Sequence, residues 1–129
     1  MNIGMKKSTS LTYEQALEKV PEALKAEGFG VLTRIDVHDT LKAKLNVAFR
    51  RYTVLGACNP SLAHKALSHD LGFGVLIPCN VTVYEDDNGK AVVTAVDPSQ
   101  TIAAQGDATM KAFANDIRAK LSKAIDSVG

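Results

Sequence analysis

The sequence predicts a single domain of mixed α and β structure, and three observations predict it. The chain has 129 residues, the size of one domain around one hydrophobic core. Apolar residues recur at helical spacing towards both ends, as Tyr13, Leu17, Val20 and Leu24 and again as Met110, Phe113, Ala114, Ile117, Leu121 and Ile125. Between them the period changes to two: Phe73, Val75, Ile77, Cys79, Val81 and Val83 alternate with Leu76, Pro78, Asn80, Thr82 and Tyr84, as a strand requires.

Each element has its own signals. Helix one starts at a Thr12/Gln15 capping box and runs to about Glu27, with Gly28 as its stop and a kink expected at Pro21, which has no amide proton for the Leu17 carbonyl. Phe29, Val31, Thr33, Ile35 and Val37 then alternate with more polar residues, a pattern that predicts a strand with one buried face. A short helix follows, capped near Asp39 or Thr40, carrying Leu41 and Leu45 inward and ended by Asn46 in the left-handed conformation. Tyr52 to Cys58 reads as extended, and Asn59-Pro60 is a strong start for a third helix that carries Leu62, Ala63, Ala66 and Leu67 on one face.

The long strand over 73–85 turns at Asp87-Asn88-Gly89 into Ala91 to Val96. Pro78 cannot donate to a ladder, which predicts a sheet edge or a bulge there. Asp97 to Gly106 reads as irregular and polar, ahead of the last helix. Gly28-Phe-Gly-Val-Leu32 recurs as Gly72-Phe-Gly-Val-Leu76. A phosphate loop would need a third glycine where Thr33 and Ile77 stand and a strand-to-helix order, so both copies read as a glycine cap followed by an anchoring phenylalanine.

Composition excludes several classes. Fifteen Lys and Arg against fourteen Asp and Glu leave a net charge of +1, without the basic footprint of a nucleic-acid binder. Three tyrosines, four phenylalanines and no tryptophan supply few aromatic platforms on which nucleic-acid bases could stack. The stretch Leu71 to Pro78 is far shorter than the about 20 residues of a membrane span, and no signal-peptide core precedes it, so a cytoplasmic chain with free thiols is expected. Residues 1–7 read as a flexible extension before a domain over 8–129, with Met5 a second candidate start.

Few residues carry reactive chemistry. Cys58 stands just before the Asn59-Pro60 helix start, where unpaired amides stabilise a thiolate, and this makes it the candidate nucleophile. Cys79 shares a strand face with Val81 and Val83 and reads as core. His64 and His69 are five apart on one helix and point to different sides, and with His38 they form no metal-ligand spacing, so no metal or cofactor is expected. Ser61 and Ser68 lack a nucleophile elbow, and Glu85, Asp86 and Asp87 sit at a solvated hairpin tip. Lys42, Lys44, Arg50 and Arg51 form a local basic group, in which Arg50 or Arg51 is the candidate to hold one anionic small ligand.

The segments Glu27-Gly-Phe-Gly-Val-Leu-Thr-Arg-Ile-Asp-Val37, Leu55-Gly-Ala-Cys-Asn-Pro60 and Leu76-Ile-Pro-Cys-Asn-Val81 together resemble the domain-of-unknown-function 302 family of bacteria and archaea. The resemblance covers the chain from about Ser8 to Val128. Pro21 departs from the family's usual pattern, and Asn46 stands where members often have glycine. The resemblance implies a single α+β domain of the TATA-binding-protein-like fold class, in which a curved, mainly antiparallel sheet carries helices mostly on one face, and it implies a homodimer. It implies no activity, and a shared fold class does not transfer DNA binding. It draws attention to Cys58, Asn59, Pro60, Cys79 and Asn80, with the two Cys-Asn pairs lining one pocket. Asn59 doubles as a helix cap, whereas Asn80 lies on the less apolar strand face and is the first candidate to touch a ligand. The resulting expectation is a homodimeric small-ligand or partner-binding module with a pocket near Cys58 and Asn80. The competing expectations are a thiol enzyme or sulfur or redox carrier using Cys58, and nucleic-acid binding.

Overall fold

A computed structural model describes residues 2–129, apart from the side chain of Gln105. Five strands form one antiparallel sheet: β1 (Gly4–Ser8), β2 (Gly30–Asp36), β3 (Tyr52–Cys58), β4 (Cys79–Glu85) and β5 (Ala91–Val96), in the order β1-β5-β4-β3-β2. Five helices connect or flank them: α1 (Tyr13–Ala26), α2 (Val37–Leu45), α3 (Pro60–His69), α4 (Pro98–Gln105) and α5 (Ala108–Asp126). The α+β class holds, with α1 and α5 packed on one face of the sheet and against each other.

Alternation sets that face. Leu55, Val81, Ala95 and Met5 stand opposite one another across four strands, and Thr53, Val83, Val93 and Lys7 form the next row. The apolar members of both rows meet the stripes Val20 and Leu24 of α1 and Ala114, Ile117 and Leu121 of α5 in one core. On the other face lie Val54, Thr82, Thr94 and Lys6 in one row and Tyr52 with Tyr84 in another.

The helix boundaries follow their caps. Thr12 and Gln15 close the capping box of α1, which runs through Pro21 as one helix. It stops in a Schellman turn: the Gly28 amide donates to Lys25, the Phe29 amide donates to Leu24, and Gly28 takes φ 86°. Asn46 ends α2 at φ 53°, left-handed as its side chain permits. The Asn59 side chain accepts from the Leu62 amide and so starts α3.

Several elements depart from the sequence reading, each for a local reason. Residues 4–7 are no flexible extension: Gly4–Ser8 pairs with β5 from Val96 to Val92, and Met5 packs against the core; Met1 lies outside the described residues. Asp97 to Gly106 is not irregular but contains α4, started by Asp97, whose carboxylate accepts from the Ser99 amide, and by Pro98. Phe73 to Leu76 belongs to a 3-10 turn over Leu71–Leu76, so the Gly-Phe-Gly copies adopt different structures although both phenylalanines are buried. Pro78 neither marks an edge nor sits inside a ladder; it precedes β4, a central strand.

The largest departure is β2. The register shifts by one between Val31, opposite Ala57, and Thr33, opposite Gly56. Leu32 is the extra residue of a bulge, and a shift of one turns every later side chain to the other face. Arg34 and Asp36 therefore stand on the helix-covered side, opposite Leu55 and Thr53, while Ile35 faces outward at 52% exposure. The one-sided apolar pattern does not bury a face of this strand. α2 starts at Val37, two residues before the expected cap, and has no buried residue; Leu45 is 65% exposed.

Gly56 sits where Thr33 and Pro78 lie over the sheet, and a Cβ there would meet the Thr33 hydroxyl and the Pro78 Cγ at 2.7 Å. Gly56→Ala is predicted to lower stability by about 1–3 kcal/mol, whereas Gly30→Ala, with open space around it, should cost well under that. Urea midpoints of the two variants check this.

Candidate functional site

Cys58 and Cys79 lie at one end of the sheet, on adjacent strands. Cys79 stands opposite Ala57, the residue before Cys58, so the two cysteines are neighbours across adjacent strands. Both line a cavity of about 20 Å³ with Phe29, Leu62, Phe73 and Ile117, room for about one water molecule. The cavity sits between the end of β3, the first turn of α3 and the 3-10 turn, because Asn59 and Pro60 start α3 immediately beyond the strand. Both thiols are free and half-buried.

The electrostatics run against an activated nucleophile. Burial pushes the Cys58 thiol up, opposite to the direction that a helix amino end favours. Burial and then the nearby Cys58 push the Cys79 thiol up to about 11. Asn59 is occupied structurally: its oxygen accepts from Leu62, and its amide donates at 3.5 Å to the Glu27 carbonyl at the end of α1.

Asn80 does not line that cavity. It faces the open side of the sheet and borders a depression of about 310 Å³ with Ile3, Lys6, Tyr52, Tyr84 and Thr94. A smaller depression of about 160 Å³ joins Asn80 to Cys79 and α4. Tyr52 and Tyr84 stack with centroids 5.5 Å apart and planes 3° from parallel, a flat aromatic wall that cross-strand pairing produces. Lys6 is the one ionisable side chain with an amino or acid group on this lining.

The two arginines are engaged within the chain. Arg51 bonds Glu14 and, at 2.5 Å, Glu85, and its guanidinium lies 4.7 Å from the centre of the Tyr13 ring. Glu85 and then Glu14 raise its pKa further. Arg50 donates to the Glu85 carbonyl and pairs with Asp87 at 3.1 Å. Beneath them the buried Tyr13 and Thr53 hydroxyls bond each other, and Thr53 donates to Asp36 at 2.8 Å. Burial opposes ionisation of Asp36, but the bonds from Thr53 and Arg34 outweigh it and hold the carboxyl below its ordinary range. Sequence reading missed this cluster, because Tyr13, Asp36 and Thr53 lie on three elements and each fits a local pattern.

His38 takes the Tyr52 amide on Nδ1 at 3.0 Å, and His69 Nε2 lies 3.0 Å from Asp107. Among the described residues no group of three or more His, Cys, Asp or Glu is arranged to hold a metal, and no helix is long and apolar enough to cross a membrane.

The comparisons with known proteins agree with this architecture. The family described as Domain of unknown function DUF302 matches residues 5–128. The chain belongs to that family. A similar solved structure is the crystal structure of the uncharacterized conserved protein DUF302 from Bacillus stearothermophilus, at 28% identity and TM-score 0.92 over 100% of both chains. No curated protein matches.

Because both thiols are pushed up, their thiolate fractions at neutral pH fall below that of a free cysteine. Iodoacetamide alkylation of the folded chain is predicted to set in at higher pH than for free cysteine, with Cys58 reacting before Cys79. A Cys58 profile shifted to lower pH would contradict this geometry; site-resolved mass spectrometry reads it.

Proposed function

We propose that the protein is a homodimeric binding module without thiol catalysis, in which β2, α2 and residues 46–50 meet a second copy and the open sheet face beside Asn80 takes a small ligand. One observation carries the reading. α2 is nine residues long and has no buried residue, whereas helices this short depend on packing of an apolar face. Around it Val31, Leu32, Ile35, Leu45, Val47 and Phe49 are all exposed, Phe49 at 49%. Exposed apolar side chains along an edge strand and the segments that follow it call for a partner, and a two-fold contact with a second copy supplies the same set twice.

The ligand half of the proposal rests on the open face. Its depression falls in the range of small-molecule sites, combines an aromatic wall with few polar groups, and places the Lys6 ammonium and the Asn80 amide at its border. These groups suit a small organic molecule that bears an anionic group. The cavity at Cys58 supports no such role at about 20 Å³, and its raised thiol does not favour a thiol enzyme or a sulfur carrier. Arg50 and Arg51 have their carboxylates already, and a net charge of +1 disfavours nucleic acid.

Native mass spectrometry of protein taken from cell lysate tests both halves. The expected spectrum is a dimer with added mass; Ile35→Glu with Phe49→Glu weakens the dimer at least about tenfold, and Lys6→Met with Asn80→Ala keeps the dimer and loses the added mass. A wild-type monomer at micromolar concentration overturns the dimer, and a dimer of bare chain mass overturns the ligand site.

A further inference from the structure

We propose that the molecule taken by the open sheet face is a single-ring aromatic monocarboxylate, with its carboxylate on Lys6 and its ring against the Tyr52 and Tyr84 wall. This ligand class rests on the open-face site proposed for the protein and is independent of dimerisation. Strand register lays out the site. Lys6, Thr94, Thr82 and Val54 form one row across β1, β5, β4 and β3; Tyr84 and Tyr52 stand in the row on one side of it, and Asn80 and Gly56 in the row on the other. The depression of about 310 Å³ follows this layout, with Thr82 and Thr94 as its floor, the stacked tyrosines as one wall, Asn80 and Val96 opposite, and Lys6 at the β1 edge. A Cβ on Gly4 would meet the Thr94 Cγ2 at 2.6 Å, so the glycine keeps the floor low beside Lys6.

Charge selects the acid group. Lys6 is the one charged side chain on the lining, and no carboxylate stands there to pair with it. Lys7, on the covered face, donates to the Asp126 carbonyl at 2.7 Å, and Arg50 and Arg51 already hold carboxylates. A single ammonium is a point charge that matches one carboxylate. A phosphate or a dicarboxylate would bring a second charge for which the lining has no cation and no arginine fork.

The wall and the span select the ring. The Tyr52 and Tyr84 rings lie 5.5 Å apart and within 3° of parallel, and an aromatic ring set against them gains attraction beyond the burial of its area, which a saturated ring of the same size does not. Lys6 and Tyr84 are two strand spacings apart across the sheet, about 10 Å, and two residues apart along it. The lysine stem and one six-membered ring with its carboxylate share that span. The volume, at the lower end for small-molecule sites, has room for one ring.

The test titrates the isotope-labelled full chain and follows its backbone amides by NMR. Three probes are compared: benzoate; cyclohexanecarboxylate, which keeps the charge and loses the aromatic ring; and benzamide, which keeps the ring and loses the charge. Benzoate is expected to shift the amides of Lys6, Thr82, Tyr84 and Thr94 saturably, and each analogue to bind at least about threefold more weakly. Lys6→Met and Tyr84→Leu each weaken benzoate by a similar factor, whereas Tyr84→Phe, which keeps the ring, does not; the amide spectra show that each variant is folded. Cyclohexanecarboxylate bound as tightly as benzoate overturns the aromatic class and leaves the anion site standing, and benzamide bound as tightly overturns the carboxylate on Lys6. No shift at these amides with any probe overturns the ligand class altogether. The added mass on wild-type protein from lysate, which does not depend on benzoate, then decides separately whether the open face holds a ligand of another kind.

Discussion

The structure depends on a sheet that is covered on one side. Leu55, Val81, Val83, Val93 and Ala95 present one apolar face, and the stripes of α1 and α5 are wide enough to cover the strands that carry them. Burying such side chains is the main favourable term available to a domain of this size. Everything on the other side of the sheet, and everything beyond β3, is left to be satisfied in some other way. The bulge at Leu32 sharpens the division, because it turns Ile35 to the open side of the sheet and Arg34 and Asp36 to the side that the helices occupy.

That exchange explains two features that otherwise look unrelated. Asp36 on the covered side is held by Thr53, which in turn meets Tyr13, so the first turn of α1 is tied to the sheet by hydroxyls as well as by the core packing of Tyr13 and Ala16. Above them Arg51 links Glu14 to Glu85 across the Tyr13 ring. On the outward side, Ile35 is left exposed by the bulge, as are Leu45 of α2 and Val47 and Phe49 of the segment after it. A sequence that puts so much apolar surface beside a nine-residue helix is consistent with one fold when a partner covers that surface.

The caps and stripes of the fold were legible in the sequence because they are local. Thr12 with Gln15, Gly28, Asn46 and Asn59 each act through residues within a few positions, and α1 and α5 repeat their stripes over several turns. β2 was misread for a nonlocal reason: its alternation is genuine, but the extra residue at Leu32 is defined by its pairing with β3. Residues 73–76 have strand-like alternation, yet Asp70 accepts from the Gly72 amide and holds them in a 3-10 turn. At the site, the family resemblance drew attention to both cysteines and Asn80. The shared cavity of the thiols and its separation from Asn80 depend on the pairing of Ala57 with Cys79 and Gly56 with Asn80, which neighbouring residues do not encode.

The claim that ties these features together is that β2 and α2 are held by a partner rather than by their own chain's core. Backbone amide hydrogen exchange, followed by mass spectrometry at high and low protein concentration, addresses it most directly. The account predicts slow exchange in Leu32 to Leu45 at high concentration that becomes fast on dilution, while β4 and α5 stay protected in both. Fast exchange in that segment at every concentration, or protection that dilution does not change, would contradict it.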